Sequence, residues 1–199
     1  MENTTQTLAD FCVQTNYDKI PTEVVERTKL LILDTIGIII RARHDSESTP
    51  SMLAAVGKLG LDHGDCHVFG DTATYAPATA ALINATLAHS LDFDDTHAEA
   101  SIHASAPIVP AAIAAAEMVG ASGRDLITAC VVGYEIHVRL GKAVGAADHY
   151  TRGFHPTATC GIFAAVAAVA KILKLSDAQT VSAFGIALSQ TAGAMQFLK

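Results

Sequence analysis

The chain has 199 residues, half of them hydrophobic, 17% charged and 6% aromatic with no Trp. That length suits one sizeable domain, and the apolar balance excludes a disordered or solvating polypeptide. Thirteen Lys and Arg against twenty Asp and Glu give a net charge of −7, without a basic run or stripe. A nucleic-acid surface needs clustered cations and stacking rings, so that class is excluded. An acidic protein that binds a polyanion must place its positive charge locally. A mean hydropathy of +0.33 is high for a free-standing monomer and predicts surface that faces a partner or lacks its cover.

Taken in chain order, the pattern is helical almost throughout. The opening MENTTQTLAD has neither a basic n-region nor an apolar h-region, so it does not read as a secretory signal. Ile20-Pro21-Thr22-Glu23 starts a helix with proline early and an acid in the first turn. It runs towards Arg41, and its second half is apolar all round, which predicts burial. The run Leu30 to Ile40 contains Asp34 and Gly37 and is too short to span a bilayer. His44 to Pro50 is a polar break, followed by a short helix to Leu61. Gly64, Gly70 and Asp71 mark turns around one short strand at Cys66 to Phe69.

A helix from Ala78 to His89 is expected to run straight into LDFDDTH. Pro107 and Pro110 start an Ala-rich helix ending at Gly120, and Ser122 can cap the next. Gly145 to Phe154 reads as a loop before a helix led by Pro156. Ser176-Asp177-Ala178-Gln179 is a capping box. The many Ala, Gly and Ser on helix faces predict close helix–helix approach. The fold class is therefore all-α, one domain over residues 1–199. Cys12, Cys66, Cys130 and Cys160 are far apart with no CxxC pair and read as free thiols. A reducing cytoplasm, or an organelle matrix, suits them.

Polar residues are scarce, so their clustering is informative. Asp92, Asp94, Asp95, Thr96, His97 and His103 fall within twelve positions between two apolar helices. His155 follows at the next helix start, in Gly153-Phe154-His155-Pro156-Thr157. Histidines at helix N-termini lie beside backbone N–H donors, a natural place for a carboxylate. A carboxylate beside a His orients the ring and raises its pKa, making it a general acid or cationic clamp. Asp92, Thr96, His103 and His155 are the candidate catalytic set, with Asp95 and His97 as candidate substrate contacts. Asp94 and Asp95 read equally well as caps of a solvated loop. His44, His63, His67, His89, His137 and His149 read as ordinary satisfied polar residues.

A metal site is the competing reading of the same cluster. The spacing lacks HExxH and lacks the Gly and closing Glu of an EF-hand, so no metal is expected. Nucleophilic catalysis is disfavoured too, since GxSxG is absent and Cys160 lies in an apolar context that raises its pKa.

LDFDDTH, SIHASAPIVPAA, VVGYEIHVRLG and GFHPTATCGIFAAVAAVAKILKL together resemble the MmgE/PrpD family. IPTEVVERTKLLILDTIG and APATAALINATLAHSLDFDD resemble its N-terminal half, so the likeness covers nearly the whole chain. The resemblance implies a large all-α domain with a smaller α+β lid, assembled as a homodimer. It implies a 2-methylcitrate dehydratase, a cis-aconitate decarboxylase or an iminodisuccinate epimerase, acting on small polycarboxylates without metal or organic cofactor.

On the family's motifs, Asp92 and Thr96 match its aspartate-rich active-site loop. His103 matches the His of Ile-His-Pro-Ser, and His155 that of Gly-Phe-His-Pro-Thr. The implied roles are protonated His103 and His155 holding carboxylates or delivering a proton, Asp92 orienting one ring, and Thr96 donating a hydrogen bond. DFDDTH followed by SIHASAP is closer to the decarboxylase-like branch than to the 2-methylcitrate dehydratases. Ala104 stands where the family has Pro, and Ala85 where it has Gly. The family's active-site lysine belongs to a later segment, which Lys199 does not match, and the lid is absent as well. The expectation is thus a truncated N-terminal portion: a lyase by resemblance, with an epimerase or a non-catalytic dimerisation or binding module as alternatives.

Overall fold

The computed structural model describes residues 3–196; Lys199 lies outside them. Nine α-helices and two small antiparallel ribbons make up the described chain, so the all-α expectation holds. Helix α1 (Thr4–Gln14) and a 3-10 turn (Tyr17–Lys19) precede α2 (Thr22–Asp45) and α3 (Thr49–Lys58). Strands β1 (Cys66–His67) and β2 (Thr74–Tyr75) form a ribbon before α4 (Pro77–His89). Strands β3 (Thr96–His97) and β4 (Ile102–His103) form the second ribbon. Then come α5 (Ser105–Val119), α6 (Gly123–Val144), α7 (Ala146–Thr151), α8 (Pro156–Ile172) and α9 (Asp177–Gln190).

The centre is the packing of α5 and α6 on α8, where Ile108, Val109, Ala112, Ala129, Cys130, Ala164 and Ala168 are fully or nearly fully buried. Small residues set how close these helices come. A Cβ on Gly133 of α6 would stand 2.8 Å from Ile108 Cγ2 and 3.2 Å from the Ala164 carbonyl oxygen, so only glycine lets all three helices meet there. Further along α6, a Cβ on Gly141 would lie 2.9 Å from Ala100 Cβ and 3.1 Å from Ile102 Cγ2. That contact seats the β3–β4 ribbon on α6 and fixes the height of His103. Ser122 with Asp125, and Ser176 with Gln179, form reciprocal capping boxes at the starts of α6 and α9.

Several local expectations are corrected. Helix α4 stops at His89; Ser90 follows, and Asp92 takes φ +54, so LDFDDTH is a turn and a ribbon. The four titratable side chains of these seven residues, Asp92, Asp94, Asp95 and His97, find partners across the turn and ribbon. Gly145 to Phe154 contains the short helix α7, in which Asp148 lies in the first turn and His149 in the last. The second half of α2 is not buried on all sides. Leu33 is 66% and Ile40 43% exposed, because α4, α5 and α6 cover a single face. Leu188 on α9 is 68% exposed as well. No described helix is long and apolar enough to cross a membrane.

Candidate active site

The end of α4, the β3–β4 ribbon and the start of α8 converge. His89 is the last residue of α4, His103 the last of β4, and His155 the residue before Pro156 opens α8. Their rings form one group: His89 and His103 are edge-to-face at 4.7 Å between centroids, and His89 and His155 are stacked at 6.2 Å. The backbone N–H of His103 donates to Thr157 Oγ1 at 3.0 Å, which ties the ribbon to α8. His155 is held from the far side of the sequence: its N–H donates to the Gly193 carbonyl at 2.9 Å, and Met195 N–H donates to Gly153 at 2.8 Å.

Asp94 stands at the middle of this group, with only 1% of its side chain exposed. Its oxygens lie 3.0 and 3.1 Å from His89 Nδ1. A carboxylate can only accept, so His89 Nδ1 carries the proton. His103 Nδ1 is 3.2 Å from the same Asp94 oxygen, within ion-pair distance but without the alignment of a hydrogen bond, so it stays unpartnered. Asp92 is a rim residue: its side chain is 84% exposed and approaches His103 Nε2 only to 3.8 Å. On the other side, the Tyr150 hydroxyl is 2.9 Å from His155 Nδ1.

These surroundings set the two stacked rings apart. The hydrogen bond and charge of Asp94 hold the His89 pKa above the ordinary imidazole range. Burial, followed by the nearby His89 and His103, pushes His155 down. Free of ligand, these surroundings favour the neutral His155 ring. His137 on α6 is fully buried, and loss of water drives its pKa to about 4.

A cavity of about 460 Å³ opens beside the rings, lined by Thr86, His89, Ser90, Pro107, His155 and Thr157 among others. That volume suits a small organic acid. Within its lining, only His89 and His155 can carry positive charge. His89, Asp92, Asp94 and His103 also offer ligand atoms within 4.8 Å of one another, close enough to share a cation. His89 Nδ1 is hydrogen-bonded to Asp94, and His103 Nδ1 stands at ion-pair distance from the same carboxylate.

The ribbon divides the residues read from the sequence. Asp92, His103 and His155 come together, whereas Thr96 is exposed and lines a different cavity of about 480 Å³ with Asp95 and His97. His97 Nδ1 accepts the Ala100 N–H at 3.2 Å. Asp95 accepts the Ser105 N–H at 2.9 Å, and Ser105 in turn lies 2.6 Å from the Tyr134 hydroxyl. The sequence passed over His89 and left Asp94 evenly divided between the site and a loop cap. Their signal was a histidine closing a helix with a carboxylate five positions on, across a turn rather than along a continuing helix.

An Ala-rich helical domain that gathers histidines around an acid-sized cavity is the class of protein these observations define. The whole of residues 6–199 matches the MmgE/PrpD N-terminal domain, so the chain belongs to that family. It is 34% identical to the cis-aconitate decarboxylase-like protein oryM of Aspergillus oryzae, over 97% of this chain and 41% of that protein. It is 33% identical to a cis-aconitate decarboxylase of Aspergillus terreus, over 89% of this chain and 37% of that protein. Identity to the human cis-aconitate decarboxylase is 32%, over 86% of this chain and 36% of that protein. The chain thus spans about two fifths of the length of these curated relatives.

Proposed function

We propose that this chain forms the histidine-lined part of a lyase acting on a small polycarboxylate, by proton transfer at a carbon beside a carboxylate and without a cofactor. The observation that carries the reading is the pair of stacked imidazoles with opposite pKa shifts, facing one acid-sized cavity. Two titratable rings whose environments push them apart can divide the roles of acid and base. Similarity to cis-aconitate decarboxylases favours decarboxylation over dehydration.

In that reaction, the C–C bond to one carboxylate breaks and carbon dioxide leaves. The electron pair moves into a new C=C bond, the original C=C opens, and its far carbon, next to another carboxylate, takes up a proton. His103, whose two nitrogens face Asp92 and Asp94, is the proton donor in this scheme. In the tautomer whose Nδ1–H donates to the Tyr150 oxygen, neutral His155 presents the Nε2 lone pair to a substrate hydroxyl, carboxylic acid or α-proton. Asp92 serves at the rim, beside His103 Nε2. Thr96, Asp95 and His97 act on the ribbon's other face, where they hold its geometry or meet a more distant substrate group. The exposed leucines of α2 and α9 support self-association into a homodimer, and the buried free cysteines suit a cytoplasmic setting.

Proton NMR in D₂O with cis-aconitate, citrate and 2-methylcitrate tests the reading. Loss of cis-aconitate with one deuterium per product molecule is the expected result. Deuterium entering without loss of carbon would favour epimerase-type chemistry, and silence with ligand bound would leave a binding module.

A further inference from the structure

We infer that His89, held in place by Asp94, is the residue that receives a carboxylate of the ligand in the cavity between α4 and α8. The assignment rests on the polycarboxylate reading above and goes beyond it, since the motif-matched histidines are His103 and His155. Three observations converge. First, the cavity is lined by small and apolar groups, by the hydroxyls of Thr86, Ser90 and Thr157, and by two histidines, with no lysine or arginine. An anion entering a site of this kind loses water and needs a compensating cation. His89 or His155 must supply it.

Second, the two rings are not equivalent. His155 has a neutral hydroxyl at Nδ1 and no carboxylate bonded to it, while His89 and His103 lie nearby and oppose charge on it. His89 has a two-pronged contact with a carboxylate that is almost wholly buried. A buried Asp bonded to Nδ1 favours the doubly protonated ring, whose Nε2–H is then a charged donor. The titratable groups around it are Asp92 and Asp94 from the turn, His103 from the ribbon and His155 from α8, the last beside Tyr150 and His149.

Third, the contacts fix the ring. His89 closes α4, the Asp92 N–H donates to its carbonyl at 3.2 Å, and the rings of His103 and His155 lie against two sides of it. A preorganised donor of this sort is worth more than a mobile surface lysine, because little rotamer freedom is lost on binding. Asp94 is then a positioning residue. It orients the ring and keeps it charged, without touching the ligand.

Calorimetric titration with propane-1,2,3-tricarboxylate, which has no double bond to react, separates the outcomes. His89→Gln, which keeps a side-chain donor without the charge, is expected to weaken binding about tenfold or more. Asp94→Asn keeps the ring and should move the loss of affinity to lower pH, whereas a purely structural role would lower affinity equally at every pH. The double variant should bind no worse than His89→Gln alone, as one unit predicts. His67→Gln, which alters a histidine paired with Glu117 away from the cavity, should change nothing. Wild-type binding with His89→Gln within about twofold of it would overturn the assignment to His89 and leave the polycarboxylate reading intact. No binding by the wild-type chain across about pH 5 to 8 would overturn both.

Discussion

Asp94 and Asp95 are neighbours in sequence and lie in opposite surroundings. Asp94 faces two imidazoles next to the cavity between α4 and α8. Asp95 faces the start of α5, where it accepts the Ser105 N–H, with Tyr134 beyond. Asp94 lies in the turn and Asp95 at the entry to β3, so a single step in sequence decides which chemistry a carboxylate serves. On the histidine face, the carboxylate stabilises charge on His89, whose ring lines the cavity. On the tyrosine face, burial raises the Asp95 carboxyl and pushes the Tyr134 hydroxyl up too, so this network favours neutral groups and packing. One face is arranged to hold an ion and the other to hold a ribbon.

The contrast can be broken most severely at the histidine face. His155→Ala and His103→Ala should each lower turnover of cis-aconitate by about a hundredfold or more, the range set by loss of a positioned acid or base. Asp95→Asn, on the other face, should change turnover far less while lowering the melting temperature; equal losses of turnover for Asp95 and His155 would erase the distinction.

The next largest effect is on stability. His137 ionises near pH 6.5 when unfolded but only at about 4 when folded, so the unfolded chain binds more protons between those values. Folding stability should therefore fall as pH drops from 6.5 towards 4, by about 3 kcal/mol from this group before solvent relaxation is counted. His137→Gln should flatten that limb in urea titrations. A slope unchanged by the substitution would assign it elsewhere.

Gly141→Ala tests the seating of the ribbon. The new methyl would come 2.9 Å from Ala100 Cβ, and lifting the ribbon should cost about 1–3 kcal/mol. Because His103 rides on the same ribbon, ligand affinity should drop with stability. Smallest of all, Ser122→Ala removes the α6 cap and should cost about 1 kcal/mol with affinity unchanged. Together the two substitutions show whether the histidine face responds to the ribbon or to stability in general.

Most of the helical frame was legible in the sequence because it rests on local rules. Pro21 and Pro156 near helix starts, Gly120 just past the end of α5, and the Ser122 and Ser176 caps each mark a boundary in a few residues. The site was legible in part, since His103 and His155 stand out as polar residues flanking apolar helices. His89 was not, because its meaning comes from Asp94, which reaches it only when the chain turns at Asp92 with positive φ. The separation of Thr96 from His155 was hidden for the same reason: ribbon pairing, rather than spacing, decides which cavity a residue lines. The exposed face of α2 shows a further limit, for an all-apolar helix announces that it will be covered but not by which element.

The central claim is that His89, His103 and His155 make one ligand site, and histidine-selective ¹H–¹⁵N correlation spectra test it most directly. On titration with propane-1,2,3-tricarboxylate, the ring signals of these three residues should shift together and saturate with one affinity, while those of His44, His63 and His67 stay still. Shifts confined to the exposed histidines, or three clustered rings that ignore the ligand, would contradict the account.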